Sequence, residues 1–211
     1  MKPSIATFGP IYAVTPSAPL GGDEVVARVY AALAGGIRLV QWRRKGEGID
    51  PREGIAETRA ACRDAGALFI VNDDLGLALE AGADGVHVGG DDADPDTARG
   101  LLGPDAYIGV SCYASVARAQ AAVASGADYV AFGSLFPSPT KPGAPRCPLE
   151  RLAAAKAQLD VPVCGIGGIG TDEVPAVLKS GADLVAVISA LFDAGGDVST
   201  RARELLTAAA G

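Results

Sequence analysis

Chemistry-bearing side chains gather at the ends of short apolar runs in this 211-residue chain. The run at 39–45 reads Leu-Val-Gln-Trp-Arg-Arg-Lys. Strand side chains alternate between faces, so Gln41, Arg43 and Lys45 share one face, and Trp42 and Arg44 the other. An amide, a forked guanidinium and an ammonium on one face suit a phosphate or diphosphate. The competing reading is a solvated strand end whose cations blunt an edge. The next two runs end Val71-Asn72-Asp73-Asp74 and Val88-Gly89-Gly90-Asp91-Asp92. Magnesium takes carboxylate oxygens together with substrate phosphates, which makes Asp73 and Asp92 candidate Mg2+ ligands beside a diphosphate. Aspartate at such points equally serves turns and helix N-caps. Asp74 and Asp94 are read as caps.

The remaining runs end in polar or glycine-rich loops. The run at 129–134 leads into Leu135-Phe136-Pro137-Ser138-Pro139-Thr140-Lys141-Pro142, a proline-punctuated loop with two hydroxyls and a lysine. That composition reads as a substrate loop, with Lys141 a further charge for an anion. The runs at 161–168 and 184–190 close on Gly165-Ile166-Gly167-Gly168 and Val187-Ile188-Ser189-Ala190. Glycines let backbone N–H groups approach phosphate oxygens, and Gly167, Gly168, Ile188 and Ser189 fit that role through their main chain. Ser111 ends the run at 107–112. No His–Asp pair is available to make it a nucleophile, so it reads as a polar substrate contact. His87, between two valines, reads as a hydrogen-bonded structural residue. Cys112 and Cys164 lie in runs where cysteine is a small core hydrophobe.

The elements that must position these residues follow from the same pattern. Eight runs, at 11–15, 39–45, 68–73, 85–90, 107–112, 129–134, 161–168 and 184–190, alternate with helical stretches. The stretches fall at 23–34, 51–65, 94–102, 115–124, 149–158, 171–179 and 200–210, with a short turn at 75–81. Alternation of this kind implies βαβ units and a parallel sheet. Eight units predict an α/β fold, a (β/α)8 TIM barrel, as one domain over 1–211. Such barrels carry chemistry at the C-terminal ends of their strands, and many bind phosphate after strands seven and eight. Gly-Ala-Asp recurs at 82–84, 126–128 and 181–183, each time just before a run.

Composition narrows the function. A net charge of −7 argues against nucleic-acid partners and anionic membranes. No apolar run reaches the roughly 18 residues of a membrane span, and the N-terminus lacks a signal-peptide core. Four cysteines without CxxC spacing, and a single histidine, give no zinc pattern. These features read as a cytoplasmic protein with reduced thiols. A homo-oligomer, paired through an outer helix, stays open.

Gln41-Trp42-Arg43-Arg44-Lys45, Val71-Asn72-Asp73-Asp74, Gly89-Gly90-Asp91-Asp92, Gly109-Val110-Ser111, Pro137-Ser138-Pro139-Thr140-Lys141, Gly165-Ile166-Gly167-Gly168 and Val187-Ile188-Ser189 stand in order at successive strand ends. In that register the chain resembles the thiamine phosphate synthase family from about Tyr12 to Phe192. The resemblance implies a transferase of thiamine biosynthesis. Such enzymes join 4-amino-2-methyl-5-(diphosphooxymethyl)pyrimidine to a thiazole phosphate, releasing diphosphate before the thiazole nitrogen attacks. By the resemblance, Gln41, Arg43, Lys45, Asn72 and Lys141 would hold the pyrimidine diphosphate, with Arg43, Lys45 and Lys141 as the catalytic cations. Asp73 and Asp92 would bind Mg2+. Ser111 would contact the pyrimidine, Ser138 and Thr140 would line the thiazole pocket, and Gly168, Ile188 and Ser189 would hold the thiazole phosphate.

The chain departs from the family pattern in places. Arg44 replaces a common Glu, facing away from the mouth. Gly90-Asp91 replaces a common Gln-Glu, Ser138 a common Thr, and Cys112 a common His. Three other readings use part of the same residues: a thiazole tautomerase, a phosphosugar epimerase or isomerase on the same barrel, and a non-catalytic binder of thiamine precursors. The tautomerase would have no need of the Gln-Arg-Lys face, the two aspartates or Lys141.

Overall fold

The structure, a computed structural model, describes residues 2–17, 20–89, 94–137, 143, 145–193 and 196–211. Its strands are β1 (Ile11–Val14), β2 (Leu39–Trp42), β3 (Leu68–Asn72), β4 (Gly85–Val88), β5 (Tyr107–Tyr113), β6 (Tyr129–Phe132), β7 (Val163–Ile166) and β8 (Leu184–Val187). All pair in parallel, each with its neighbours in sequence, and β1 pairs with β8 to close the barrel. The helices are α1 (Gly22–Ala34), α2 (Ile55–Asp64), α3 (Leu75–Glu80), α4 (Pro95–Leu102), α5 (Val116–Ala124), α6 (Glu150–Lys156), α7 (Val174–Lys179), α8 (Ser189–Phe192) and α9 (Val198–Ala210).

Alternation along each strand sorts side chains into two cores. Tyr12, Val14, Leu39, Leu68, Ile70, Tyr107, Tyr129, Ala131, Cys164, Leu184 and Ala186 fill the barrel interior. Their sequence neighbours, such as Ala13, Val40, Trp42, Phe69 and Val130, pack outward with the helices. Most strand faces are therefore apolar, which is why the runs read as nearly continuous hydrophobic stretches, while Gln41 of β2 and His87 of β4 are buried polar residues of the interior. A 3-10 turn at Ile5–Phe8 places Ile5 in the interior cluster and closes the end where the strands start. The Tyr107 hydroxyl donates to the Pro3 carbonyl at 2.9 Å, tying that turn to β5.

The repeated Gly-Ala-Asp has a definite job. Asp84 donates its N–H to the Phe69 carbonyl and accepts the Phe69 N–H on its carboxylate, both at 2.8 Å. Asp128 does the same with Ile108, at 2.7 Å each way, and Asp183 with Val163, at 2.7 and 2.8 Å. Each carboxylate is also held by a cation from a helix: Arg59, Arg99 and Lys156 respectively. The motif thus staples β3 to β4, β5 to β6 and β7 to β8 where they begin. It satisfies backbone groups that the ladder would leave open.

Several expected boundaries are corrected. β2 stops at Trp42 rather than Lys45, because the Arg43 N–H donates to the Thr15 hydroxyl at 2.8 Å instead of to a strand carbonyl. β4 stops at Val88, β6 at Phe132 and β7 at Ile166, while β5 runs one residue further, to Tyr113. β8 stops at Val187; Ile188 leaves the extended region (φ −119°, ψ −82°), and Ser189 opens α8 instead of ending a strand. The helix expected at 51–65 starts at Ile55, after Gly54 takes a left-handed conformation (φ 81°). The helix expected at 171–179 starts at Val174, and the short turn expected at 75–81 is the helix α3. As read from sequence, Asp74 and Asp94 cap helices: Asp74 accepts from Leu77 N, and Asp94 from Asp96 N and Thr97 N.

Candidate active site

The C-terminal ends of β2 and β3 bring cations, an amide and a carboxylate together. Gln41 points into the barrel, where its Nε2 donates to the Tyr12 hydroxyl at 2.8 Å. Arg43 follows on the same side. Thr15 grips its backbone at both ends, and its Nη1 donates to Ser17 Oγ at 2.8 Å. Lys45, exposed at the mouth, pairs with the Asp73 carboxylate. Trp42 and Arg44 turn the other way: Trp42 Nε1 donates to the Pro51 carbonyl at 2.8 Å, and Arg44 is buried against the Leu20 carbonyl with Glu53 3.7 Å away. The face read from alternation therefore persists beyond the last paired strand residue.

Electrostatics favour an anion here. Burial pulls the Arg43 guanidinium below its ordinary pKa, and the nearby Asp73 carboxylate pushes it back up. A guanidinium still stays charged, and a half-buried one is worth more to an anion than an exposed one. Asp73 takes a positive φ of 61°, a conformation that costs a non-glycine residue and that clusters at ligand clamps. Its N–H donates to the His87 carbonyl at 2.8 Å, which fixes the turn after β3. Asn72 ends β3, half-buried beside it.

His87 and Ser111, residues with separate roles in the sequence, lie within hydrogen-bond distance of each other. His87 Nε2 is 3.0 Å from Ser111 Oγ, and Nδ1 is 3.0 Å from the Tyr129 hydroxyl. Burial drives the imidazole pKa down to about 4, with Asp73 opposing. A neutral imidazole bonded to a tyrosine hydroxyl, with no carboxylate behind it, does not make Ser111 a strong nucleophile. His87 is the hydrogen-bonded residue expected, but one of its partners is a candidate substrate contact. The β5–β6 register shifts between Ser111 and Tyr113, so the strand is irregular next to this candidate substrate contact.

The ends of β7 and β8 form a pocket lined by residues 166–169 and 186–189. Gly167 (φ 105°) and Gly168 (φ 65°) have backbones that only glycine adopts readily. A Cβ on Gly167 would lie 2.3 Å from Ser134 Oγ, and one on Gly168 2.2 Å from the Pro137 carbonyl oxygen. The loop after β6 is laid against them: Leu135 N donates to the Ile166 carbonyl at 3.0 Å and Phe136 N to the Gly167 carbonyl at 2.8 Å. Arg146, which no sequence motif marks, donates to the Leu135 carbonyl at 2.6 Å and steadies the same loop. Gly168, Ile188 and Ser189 line this one pocket. Ser138, Thr140, Lys141 and Asp92 lie outside the described residues.

Among the described residues no three acidic, histidine or cysteine side chains converge to hold a metal. Asp73 nevertheless fits the part of a magnesium site that a protein supplies. Magnesium keeps several waters and takes one or two carboxylates plus substrate phosphates. Asp73 sits at the mouth, beside the cations that would hold those phosphates.

Thr15, Ser17, Tyr12 and Tyr129 also belong to the site, and no motif in the sequence marks them. Thr15 and Ser17 follow β1 and hold Arg43 and Lys45; only their place after a strand could have flagged them. Residues 11–191 match the family described as thiamine monophosphate synthase. The chain is 50% identical over 196 residues to the thiamine-phosphate synthase of Thioalkalivibrio sulfidiphilus, covering 92% of each. It is 50% identical over 198 residues to that of Thiobacillus denitrificans, covering 93% of each. A thiamine phosphate pyrophosphorylase from Pyrococcus furiosus superposes with a TM-score of 0.84 at 33% identity, covering 98% of both chains.

Proposed function

The chain belongs to the thiamine monophosphate synthase family, and from that premise we propose how its barrel mouth carries out the family's transferase reaction. Thiamine-phosphate synthesis joins a pyrimidine diphosphate to a thiazole phosphate. The observation that carries the proposal is the Gln41, Arg43 and Lys45 face, set beside Asn72 and Asp73 at the ends of β2 and β3.

In this reading Arg43, Lys45, Asn72 and Lys141 hold the diphosphate, and Gln41 and Ser111 hold the pyrimidine ring. The bond from the pyrimidine methylene carbon to the diphosphate oxygen breaks, and its electron pair leaves with the diphosphate. Arg43 and Lys45, with Lys141, stabilise the charge that collects there; electrostatic stabilisation of this kind is commonly the largest catalytic contribution. The thiazole nitrogen then gives its lone pair to the methylene carbon, forming the C–N bond. No strong acid or base is needed. Asp73 and Asp92 would hold a magnesium ion, which when bound neutralises charge on the departing diphosphate.

The second substrate sits at β7 and β8. Backbone N–H groups of Gly168, Ile188 and Ser189 receive the thiazole phosphate, and Ser138 and Thr140 line the thiazole pocket. Holding two reactants at one mouth turns their encounter into an effectively unimolecular step.

The substrates are small molecules, and no described helix is long and apolar enough to cross a membrane. Four free, buried cysteines support a cytoplasmic setting. The test is a coupling assay with both substrates and magnesium, reading thiamine phosphate as its fluorescent oxidation product. Magnesium-dependent product supports the proposal. Isomerised thiazole phosphate without coupling would replace it with the tautomerase reading.

A further inference from the structure

Five side chains from five strands make one continuous hydrogen-bonded line through the barrel interior. Gln41 Nε2 donates to the Tyr12 hydroxyl at 2.8 Å, and Tyr12 and Tyr129 join hydroxyl to hydroxyl at 2.9 Å. Tyr129 reaches His87 Nδ1 at 3.0 Å, and His87 Nε2 reaches Ser111 Oγ at 3.0 Å. The two ends are residues that the proposed function places on the pyrimidine ring. The three in the middle touch no substrate in that reading. We propose that Tyr12, Tyr129 and His87 are positioning residues that fix the hydrogen-bond polarity of Gln41 and Ser111, and through it the enzyme's selection of an aminopyrimidine.

The polarity follows from counting protons. An amide nitrogen only donates, so the Tyr12 oxygen accepts from Gln41, and pairing the buried Tyr12 proton then directs it to the Tyr129 oxygen. Tyr129 then gives its proton to His87 Nδ1. A neutral imidazole carries one N–H, which must therefore stand on Nε2 and point at Ser111 Oγ. Ser111 accepts there and keeps its own hydroxyl proton for the substrate. At the other end, Gln41 has spent a donor on Tyr12 and keeps its carbonyl oxygen as an acceptor. Any reversal of the links between Tyr12 and Ser111 leaves a hydroxyl proton of Tyr12 or Tyr129 without an acceptor. Tyr12 and Tyr129 are 1% and 0% exposed, so water cannot repair such a mismatch.

A glycine makes the line possible. A Cβ on Gly109 would fall 2.0 Å from Cζ of Tyr129 and 2.4 Å from its hydroxyl oxygen. The missing side chain on β5 is the space through which Tyr129 crosses to reach both Tyr12 and His87. Glycine inside a strand often marks such a close approach.

A donor at Ser111 and an acceptor at Gln41 match a ring nitrogen acceptor and an exocyclic amine. The oxo analogue, which offers a ring N–H and a carbonyl instead, matches neither of these and would have to turn to the second Gln41 N–H and the second Ser111 lone pair. This inference rests on the proposed function for the identity of the substrate, but its first test does not.

The chain has one histidine, so protein labelled with 15N-histidine gives the spectrum of a single imidazole. The expected result in the ligand-free protein at neutral pH is the Nε2–H tautomer, with Tyr129→Phe releasing that preference. An Nδ1–H tautomer, a rapidly averaging ring or an imidazolium would overturn the proposal. The kinetic arm compares kcat/KM for the amino and oxo pyrimidine diphosphates. Tyr129→Phe should cut the discrimination by about tenfold, the scale of one hydrogen bond, and should leave KM for the thiazole phosphate within twofold. Unchanged discrimination would overturn the selection role. If Tyr129→Phe does not fold, Tyr12→Phe takes its place: it should keep the Nε2–H tautomer and still weaken discrimination through Gln41. Wild-type protein that shows the tautomer but no turnover would sink the proposed substrate and leave the relay standing.

Discussion

Gly168 lies under Pro137 so closely that a Cβ on the glycine would sit 2.2 Å from the proline carbonyl oxygen. That contact joins the loop after β7 to the loop after β6, where one proposed phosphate site meets the start of the proposed thiazole pocket. Gly168→Ala must therefore move one loop or the other, and it also places a side chain at φ 65°. The left-handed conformation alone costs about 1–2 kcal/mol. We expect lower thermal stability by at least that amount. KM for the thiazole phosphate should rise more than KM for the pyrimidine diphosphate, as read by steady-state kinetics with each substrate varied in turn.

Asp128 makes a different prediction, about stability alone. Its carboxylate accepts from Ile108 N at 2.7 Å and pairs with Arg99 at 2.6 Å and Lys2 at 2.8 Å, all where the strands begin. Asp128→Ala leaves the Ile108 N–H without that acceptor. Loss of a charge-assisted hydrogen bond costs about 1.5–3 kcal/mol. At about 2–4 °C per kcal/mol for a chain of this size, calorimetry should show Tm falling by roughly 3–12 °C. kcat/KM should stay within twofold, because the site lies at the other end of the barrel.

The thiols should be quiet. Burial pushes Cys62, Cys112 and Cys164 up to about 12, and raises Cys147 as well. The thiolate is the reactive form. At pH 8 a thiol-specific chromogenic reagent should therefore react slowly with the native protein. After denaturation it should titrate all four cysteines of the chain. Fast stoichiometric labelling of the native state would contradict the burial of these residues.

Asp73→Asn tests the proposed metal ligand. It removes a carboxylate that pairs with Lys45 and would face the ion. Half-saturation by magnesium in the coupling assay should rise by on the order of tenfold or more, the scale of one lost charge-assisted contact. An unchanged magnesium dependence would remove Asp73 from the ion's ligands.

The sequence made the fold and one side of the site readable because both obey short periods. A period of two placed Gln41, Arg43 and Lys45 on one face, and the structure keeps them there even though the ladder ends at Trp42. That early end was not readable: the Arg43 N–H is taken by the Thr15 side chain, a partner 28 residues away. The same limit hid Tyr12 and Tyr129. They stand 117 residues apart on β1 and β6, and only closure of the barrel brings their hydroxyls to 2.9 Å. Gly109, a glycine in mid-strand, was the one local sign that another side chain crosses there. Capping by Asp74 and Asp94 was legible because cap chemistry is local.

The measurement that bears most directly on the account is kcat/KM of Arg43→Ala with both substrates and magnesium supplied. Arg43 is half-buried, anchored by Thr15 and Ser17, and carries the charge proposed to meet the departing diphosphate. Loss of one such preorganised donor costs about 10²–10³-fold in rate. The expected result is a fall of that order in kcat/KM for the pyrimidine diphosphate, with the variant folded as the wild type. A folded Arg43→Ala protein that couples the two substrates at near wild-type kcat/KM would contradict it.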